Sequence, residues 1–242
     1  MPFPWISLVL GIAAAAGNIA GGWAAAHKPW HPGYLRYFMA VASGFMLATS
    51  LLEMLPESLE LLGSHAAVWI LGGYLLIHFF EHTLSGHFHF GEEVHAEEVA
   101  GVHRSRTILL GLMTHSFVDG IAIASGFLVS DFLGWIVFLA VFLHKMPEGF
   151  AVSSVMVASG QSQRTGLLAA ALLGLATVAG VIVMSPLEGQ VAFTLPLSAG
   201  VTLYVAASDL MPEVNREPGI RMAAMVFIGV LLMLGLRLAF GI

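Results

Sequence analysis

Apolar residues run along this chain in long blocks separated by short polar joints. A helix needs roughly 17–25 apolar residues to cross a bilayer, and blocks of that length recur from one end to the other. They predict eight membrane helices, over residues 4–26, 36–56, 66–84, 107–128, 132–155, 166–186, 194–213 and 222–241. Most boundaries fall at Pro, Gly or charged residues. The joints are short except for residues 85–106. The pattern predicts an all-α integral membrane protein with one transmembrane domain over residues 1–242.

Composition agrees with the pattern. Of the 242 residues, 58% are hydrophobic and only 10% charged, against about 25% charged in soluble domains. The apolar run ending near Ala24, Ala25 and Ala26 resembles a signal peptide, but no Lys or Arg precedes Lys28. Residues 4–26 are therefore expected to be a retained first span. Seven basic residues fix the orientation: Lys28, Arg36, Arg104, Arg106, Arg164, Arg216 and Arg221 fall at odd-numbered joints, and none at even ones. The positive-inside rule puts the odd joints in the cytoplasm and both termini outside. The other two basic residues, Lys145 and Arg237, lie within the fifth and eighth spans. A net charge of −6 argues against a nucleic-acid partner, and the absence of cysteine excludes thiolate metal ligands.

The chain repeats itself. At an offset of 156 residues, Gly44, Leu47, Pro56 and Glu57 of the second span fall on Gly200, Leu203, Pro212 and Glu213 of the seventh, with Glu53 on Asp209. The two spans cross in opposite directions, as in the inverted repeats of transporters. Spans 1–3 and 6–8 form the two halves. On this topology Glu53 and Glu57 lie near the outer surface, and Asp209 and Glu213 near the inner one.

A second repeat occupies the central pair. His115, Asp119 and Gly120 share their spacing with His144, Glu148 and Gly149. Four residues make about one turn, so each His shares a helix face with its acid. Two imidazoles and two carboxylates converging near mid-membrane suit divalent zinc, and equally iron, cobalt, nickel or manganese. A lone intramembrane His or Asp serves as well to bond a neighbouring helix, but a duplicated set at ligand spacing points to function. Pro147, beside Glu148, is expected to kink the fifth span.

These motifs resemble the ZIP (Zrt/Irt-like) family of metal transporters over essentially the whole chain. The resemblance implies a 3+2+3 arrangement of helices, zinc as transported substrate (or iron, manganese, cobalt, nickel or cadmium), no organic cofactor, and a homodimer. By position it implies His115, Asp119, His144 and Glu148 as principal ligands. Met46 matches a position where some members offer a thioether, though apolar filling serves it equally. Glu53 and Glu57 would mark the entrance, and Asp209 and Glu213 the exit. Ser116 stands where Asn is common. Lys145 stands where a second metal would have a ligand, which implies one metal per protomer with the ammonium as a surrogate charge.

In and around the long third joint stand His82, His87, His89, His95 and His103 among glutamates, a composition that binds metal weakly and lacks the apolar content to fold. His87, His89 and His95 are the candidate ligands there. Two rival functions use the same central residues: an intramembrane zinc-dependent hydrolase, and a membrane protein with a purely structural metal site. The His-Glu-x-x-His helix of the zincins is absent. The partners expected are a divalent metal ion and the lipid bilayer, and the short joints suit a bacterial inner membrane.

Overall fold

The structure is a computed structural model that describes residues 5–27, 32–85, 102–216 and 219–240. Among these residues every element is helical: α1 Trp5–His27, α2 Pro32–Thr49, α3 Leu55–Leu62, α4 Ala66–Phe80, α5 Val102–Val129, α6 Asp131–Ala158, α7 Gln163–Met184, α8 Val191–Tyr204, α9 Met211–Asn215 and α10 Ile220–Ala239. Helices satisfy their own backbone groups, which is what an apolar chain needs where no water reaches it. Ser130 and Ser162 begin α6 and α7 by accepting hydrogen bonds from the backbone N–H groups of Leu133 and Thr165, each at 3.1 Å. His87, His89 and His95 lie outside the described residues.

Two wide turns interrupt the bundle in matching places. α2 passes into α3 through a π-helical turn at Ser50–Met54, and α8 into α9 through another at Val205–Leu210. Pro56 and Pro212 follow them at the start of the next helices. Proline lacks an N–H and crowds the carbonyl four residues back, and a widened turn relieves that crowding without ending the helix. Glu53 and Asp209 sit on these turns.

Seven stretches among the described residues are long and apolar enough to cross a membrane. One of them, Leu35–Thr83, is 49 residues long and contains Gly63, whose φ of 55° lies in the left-handed region. Contacts give the course of the chain on either side of that glycine. Arg36 meets Glu213, Ser43 meets Ala206 and Ser50 meets Ala199, so α2 runs antiparallel to α8. Trp69 meets Phe193 and Tyr74 meets Tyr204, so α4 runs parallel to α8. The chain therefore folds back between α3 and α4.

The packing has two-fold character. The offset that relates α2 to α8 also relates α4 to α10, since Gly73 corresponds to Gly229. α4 packs on α8 as α10 packs on α2. A Cβ on Gly200 would overlap the carbonyl oxygen of Ile70, and one on Gly44 would overlap that of Val226, its counterpart. The Ser43 hydroxyl donates to Ala206 O at 3.2 Å and the Ser50 hydroxyl to Ala199 O at 2.9 Å, again a corresponding pair. α5 and α6 occupy the middle, clasped by α1 and α7. α6 is the most enclosed of the seven stretches and α10 the least. The outward faces carry Val68, Leu75, Leu175, Phe227 and Leu231, each more than 45% exposed.

Backbone contact at these glycines sets the helix separation. Gly200→Ala should cost about 1–3 kcal/mol by overpacking. Gly235→Ala, where nothing lies within 4 Å of the new methyl, should be neutral or slightly stabilising. Thermal unfolding of the two variants in detergent, followed by circular dichroism, checks the contrast.

Candidate metal centre

Helix α5 supplies His115, Ser116 and Asp119, and α6 supplies His144, Lys145 and Glu148. All six are buried, none more than 1% exposed. The motif glycines do not face each other. A Cβ on Gly120 would overlap Thr177 O of α7, and one on Gly149 would overlap Asn18 O of α1. Each glycine thus draws an outer helix against the central pair. Pro147 lies inside α6, which continues through it from Asp131 to Ala158.

Three ligand-type atoms converge. His115 Nε2 lies 2.9 Å from Asp119 Oδ2, His144 Nε2 lies 3.2 Å from the same oxygen, and the two imidazole nitrogens are 3.2 Å apart. An ion about 1 Å above the plane of such a triangle would reach all three atoms at roughly 2.0–2.1 Å, the length of zinc bonds to His nitrogen and carboxylate oxygen. His144 Nδ1 sits 3.1 Å from Ala140 O. Donation to that carbonyl places the proton on Nδ1 and leaves Nε2 as a lone pair facing Asp119. Asp119 Oδ1 and His115 Nδ1 have no hydrogen-bond partner among the described residues.

Glu148 stands one step aside. Its Oε2 accepts from Lys145 Nζ at 2.6 Å and from Asn18 Nδ2 at 3.0 Å, and its Oε1 accepts from the Ser116 hydroxyl at 2.5 Å. Lys145 also donates to Asp119 Oδ2 at 2.6 Å and to Ser116 Oγ at 3.0 Å. The ammonium therefore bridges the two carboxylates. With neutral imidazoles, the centre carries one net negative charge.

The other sequence-derived positions are spread along the bundle. Met46 is fully buried in the apolar cluster with Met39 and Phe45. Glu53 pairs with Arg237 at 3.3 Å, and Glu57 is half-buried one turn further on. Glu213 is buried between Arg36, at 3.4 Å, and Arg216, at 3.3 Å. Asp209 is 2% exposed and lies against Glu81, with Tyr204 beside them. Asn18 and Glu81 had no place in the sequence-derived site. A signal existed for both: Asn18 is the single amide in an otherwise apolar span, and Glu81 corresponds to Arg237 at the repeat offset.

Residues 5–107 and 91–237 match the family model described as "ZIP Zinc transporter". The chain belongs to the ZIP family. It is 24% identical over 239 residues to "Zinc transporter ZIP13" of Pongo abelii, covering 89% of this chain and 66% of that protein. It is 30% identical over 112 residues to "Zinc transporter zipt-7.1" of Caenorhabditis briggsae, covering 43% of this chain and 29% of that one. It is 33% identical over 112 residues to "Zinc transporter ZIP4" of Homo sapiens, covering 45% and 17%. The chain thus spans between 17 and 66% of the length of these relatives. Membership in a ZIP family of transporters, with several apolar stretches of membrane-crossing length, makes this an integral, multi-pass membrane protein. The same membership sets the hydrolase reading aside.

Asp119 Oδ2 is the atom that both imidazoles share. Asp119→Asn should weaken zinc binding by at least the roughly 100-fold that losing a positioning partner can cost. Ser154→Ala, which loses only a bond to Phe150 O, should not change it. Calorimetric titration of zinc into the detergent-purified variants compares the two.

Proposed function

We propose that this ZIP protein carries a divalent transition metal, zinc foremost, into the cytoplasm through the centre between α5 and α6. Iron, manganese, cobalt, nickel and cadmium share enough ligand chemistry to be alternative cargo. The observation that carries the proposal is the convergence of His115, Asp119 and His144 from two helices in a fully buried cluster. A dehydrated cation needs fixed negative charge in a medium of low dielectric constant, and Asp119 supplies it in contact with both imidazoles. Glu148 joins as a ligand by releasing Lys145.

Eight crossings accompany this reading. The stretch Leu35–Thr83 supplies two of them, folding back at Gly63, and the remaining six stretches one each. The order is 3+2+3: α1, α2–α3 and α4; then α5 and α6; then α7, α8–α9 and α10. Support comes from the antiparallel course of α2 and α8 at a shared sequence offset, which is how an inverted repeat packs. The basic residues place both termini outside. A bacterial inner membrane and a homodimer complete the proposal. The ion passes Glu53 and Glu57, is held at the centre, and leaves past Asp209 and Glu213. His87, His89 and His95 of the third joint act as loose cytoplasmic ligands.

Lys145 gives the centre one metal per protomer. Its ammonium neutralises one carboxylate, so a bound divalent ion leaves the cluster with a net positive charge. That loosens the hold on the cargo, which a carrier requires and a structural metal site does not.

Two measurements test the proposal. In proteoliposomes with a trapped zinc-sensitive dye, the wild type should show saturable influx, and both His144→Ala and Glu148→Ala should abolish it. Tight binding without flux would turn the centre into a structural site. Lys145→Asp should raise bound zinc from one to two per protomer by equilibrium dialysis with metal analysis; unchanged stoichiometry would remove the surrogate-charge role.

A further inference from the structure

Two basic residues, Lys145 and Arg237, do not belong to the cytoplasmic joints, and both pair with a carboxylate of the pathway. Arg237 is in the last turn of α10, and its Nη1 lies 3.3 Å from Glu53 Oε1. Glu53 is 9% exposed and Arg237 37%, so the pair is partly buried and within reach of water. That Glu53 oxygen makes no aligned hydrogen bond, and the contact is one of charge alone. Such a pair is weak and can be displaced.

The repeat shows what stands in the corresponding place at the other mouth. Glu53 corresponds to Asp209, and Arg237 to Glu81. The partners correspond too, because Asp209 lies against Glu81 just as Glu53 lies against Arg237. At equivalent positions of one symmetric scaffold, Glu53 thus faces a cation and Asp209 an acid, while the arginines of the inner end, Arg36 and Arg216, pair with Glu213 instead. Glu57, four residues from Glu53, adds a further carboxylate to the outer mouth. Without the guanidinium, that mouth would be a cluster of carboxylate oxygens. Clusters of this kind bind Ca²⁺ and Mg²⁺, which prefer oxygen ligands and are abundant outside cells.

We propose that Arg237 is a specificity-determining residue of the outer mouth: by occupying Glu53 it denies that carboxylate to hard, oxygen-seeking cations. A transition metal bound for the imidazoles displaces the guanidinium in passing, while Ca²⁺ and Mg²⁺ find no vacant carboxylate pair to occupy. This rests on the transport reading above and on its orientation.

The test measures zinc influx into proteoliposomes with and without external Ca²⁺ at a few millimolar, about the range in which extracellular carboxylate sites bind it. Wild type and Arg237→Lys should be nearly indifferent to Ca²⁺. Arg237→Glu, which gives the outer mouth the acid pair of the inner one, should lose about fivefold of its zinc influx when Ca²⁺ is added. It should also bind one additional Ca²⁺ per protomer in detergent, a readout that needs no transport. Glu53→Gln in the Arg237→Glu background should restore indifference to Ca²⁺. Should Arg237→Glu fail to fold, Arg237→Gln should show a smaller sensitivity with the same dependence on Glu53. An Arg237→Glu protein that transports zinc, ignores Ca²⁺ and binds no more of it overturns the inference alone, as does Ca²⁺ sensitivity that survives Glu53→Gln. A wild type that passes no zinc overturns the transport reading and this inference with it.

Discussion

Unit charges inside this bundle interact several times more strongly than in water, so a buried carboxylate must lie against a cation, share a proton or hold a metal. That constraint organises the centre. Asp119 and Glu148 lie on facing helices, and Lys145 reaches both at 2.6 Å. Ser116 and Asn18 take up the remaining Glu148 lone pairs. His115 and His144 close on the shared oxygen of Asp119. Helix α1 is drawn in because Asn18 must reach Glu148 and because Gly149 lets its backbone approach. The site is a charge balance as much as a ligand set.

The same constraint separates the two halves of the repeat. Small residues let α2, α4, α8 and α10 cross in backbone contact, and the crossings repeat about a two-fold relation. Symmetric packing does not require symmetric charge. Glu53 and Asp209 occupy equivalent turns, yet one faces the Arg237 guanidinium and the other the Glu81 carboxyl. The scaffold supplies equivalent positions, and the side chains at those positions make the ends different.

Much of this was legible in the chain itself. Block length and composition pointed to a helical membrane protein, because an apolar segment of membrane length has few alternatives. The paired His and acid spacings identified the two motifs and the family, since spacing along one helix is a local property. The repeat of α2 and α8 was visible through Pro56, Pro212 and the acids before them. Its extension to α4 and α10 was hidden, because apolar helices share little beyond apolarity and only Gly73 and Gly229 mark the match.

The limit was reached where one helix meets another. Lys145 was readable as a misplaced cation, but not that it bridges Asp119 and Glu148, nor that Asn18 arrives from 130 residues away. Gly120 and Gly149 were readable as close-approach residues, but not that they face α7 and α1 rather than each other. Sequence determined the helical membrane class, the faces of each helix and the ligand types, because those follow from residue chemistry and a period of 3.6. Tertiary structure decided which faces meet, which carboxylate a cation neutralises and which oxygen both imidazoles share. Those depend on helix rotation and crossing, which are set by side-chain volume at contacts far apart in the chain.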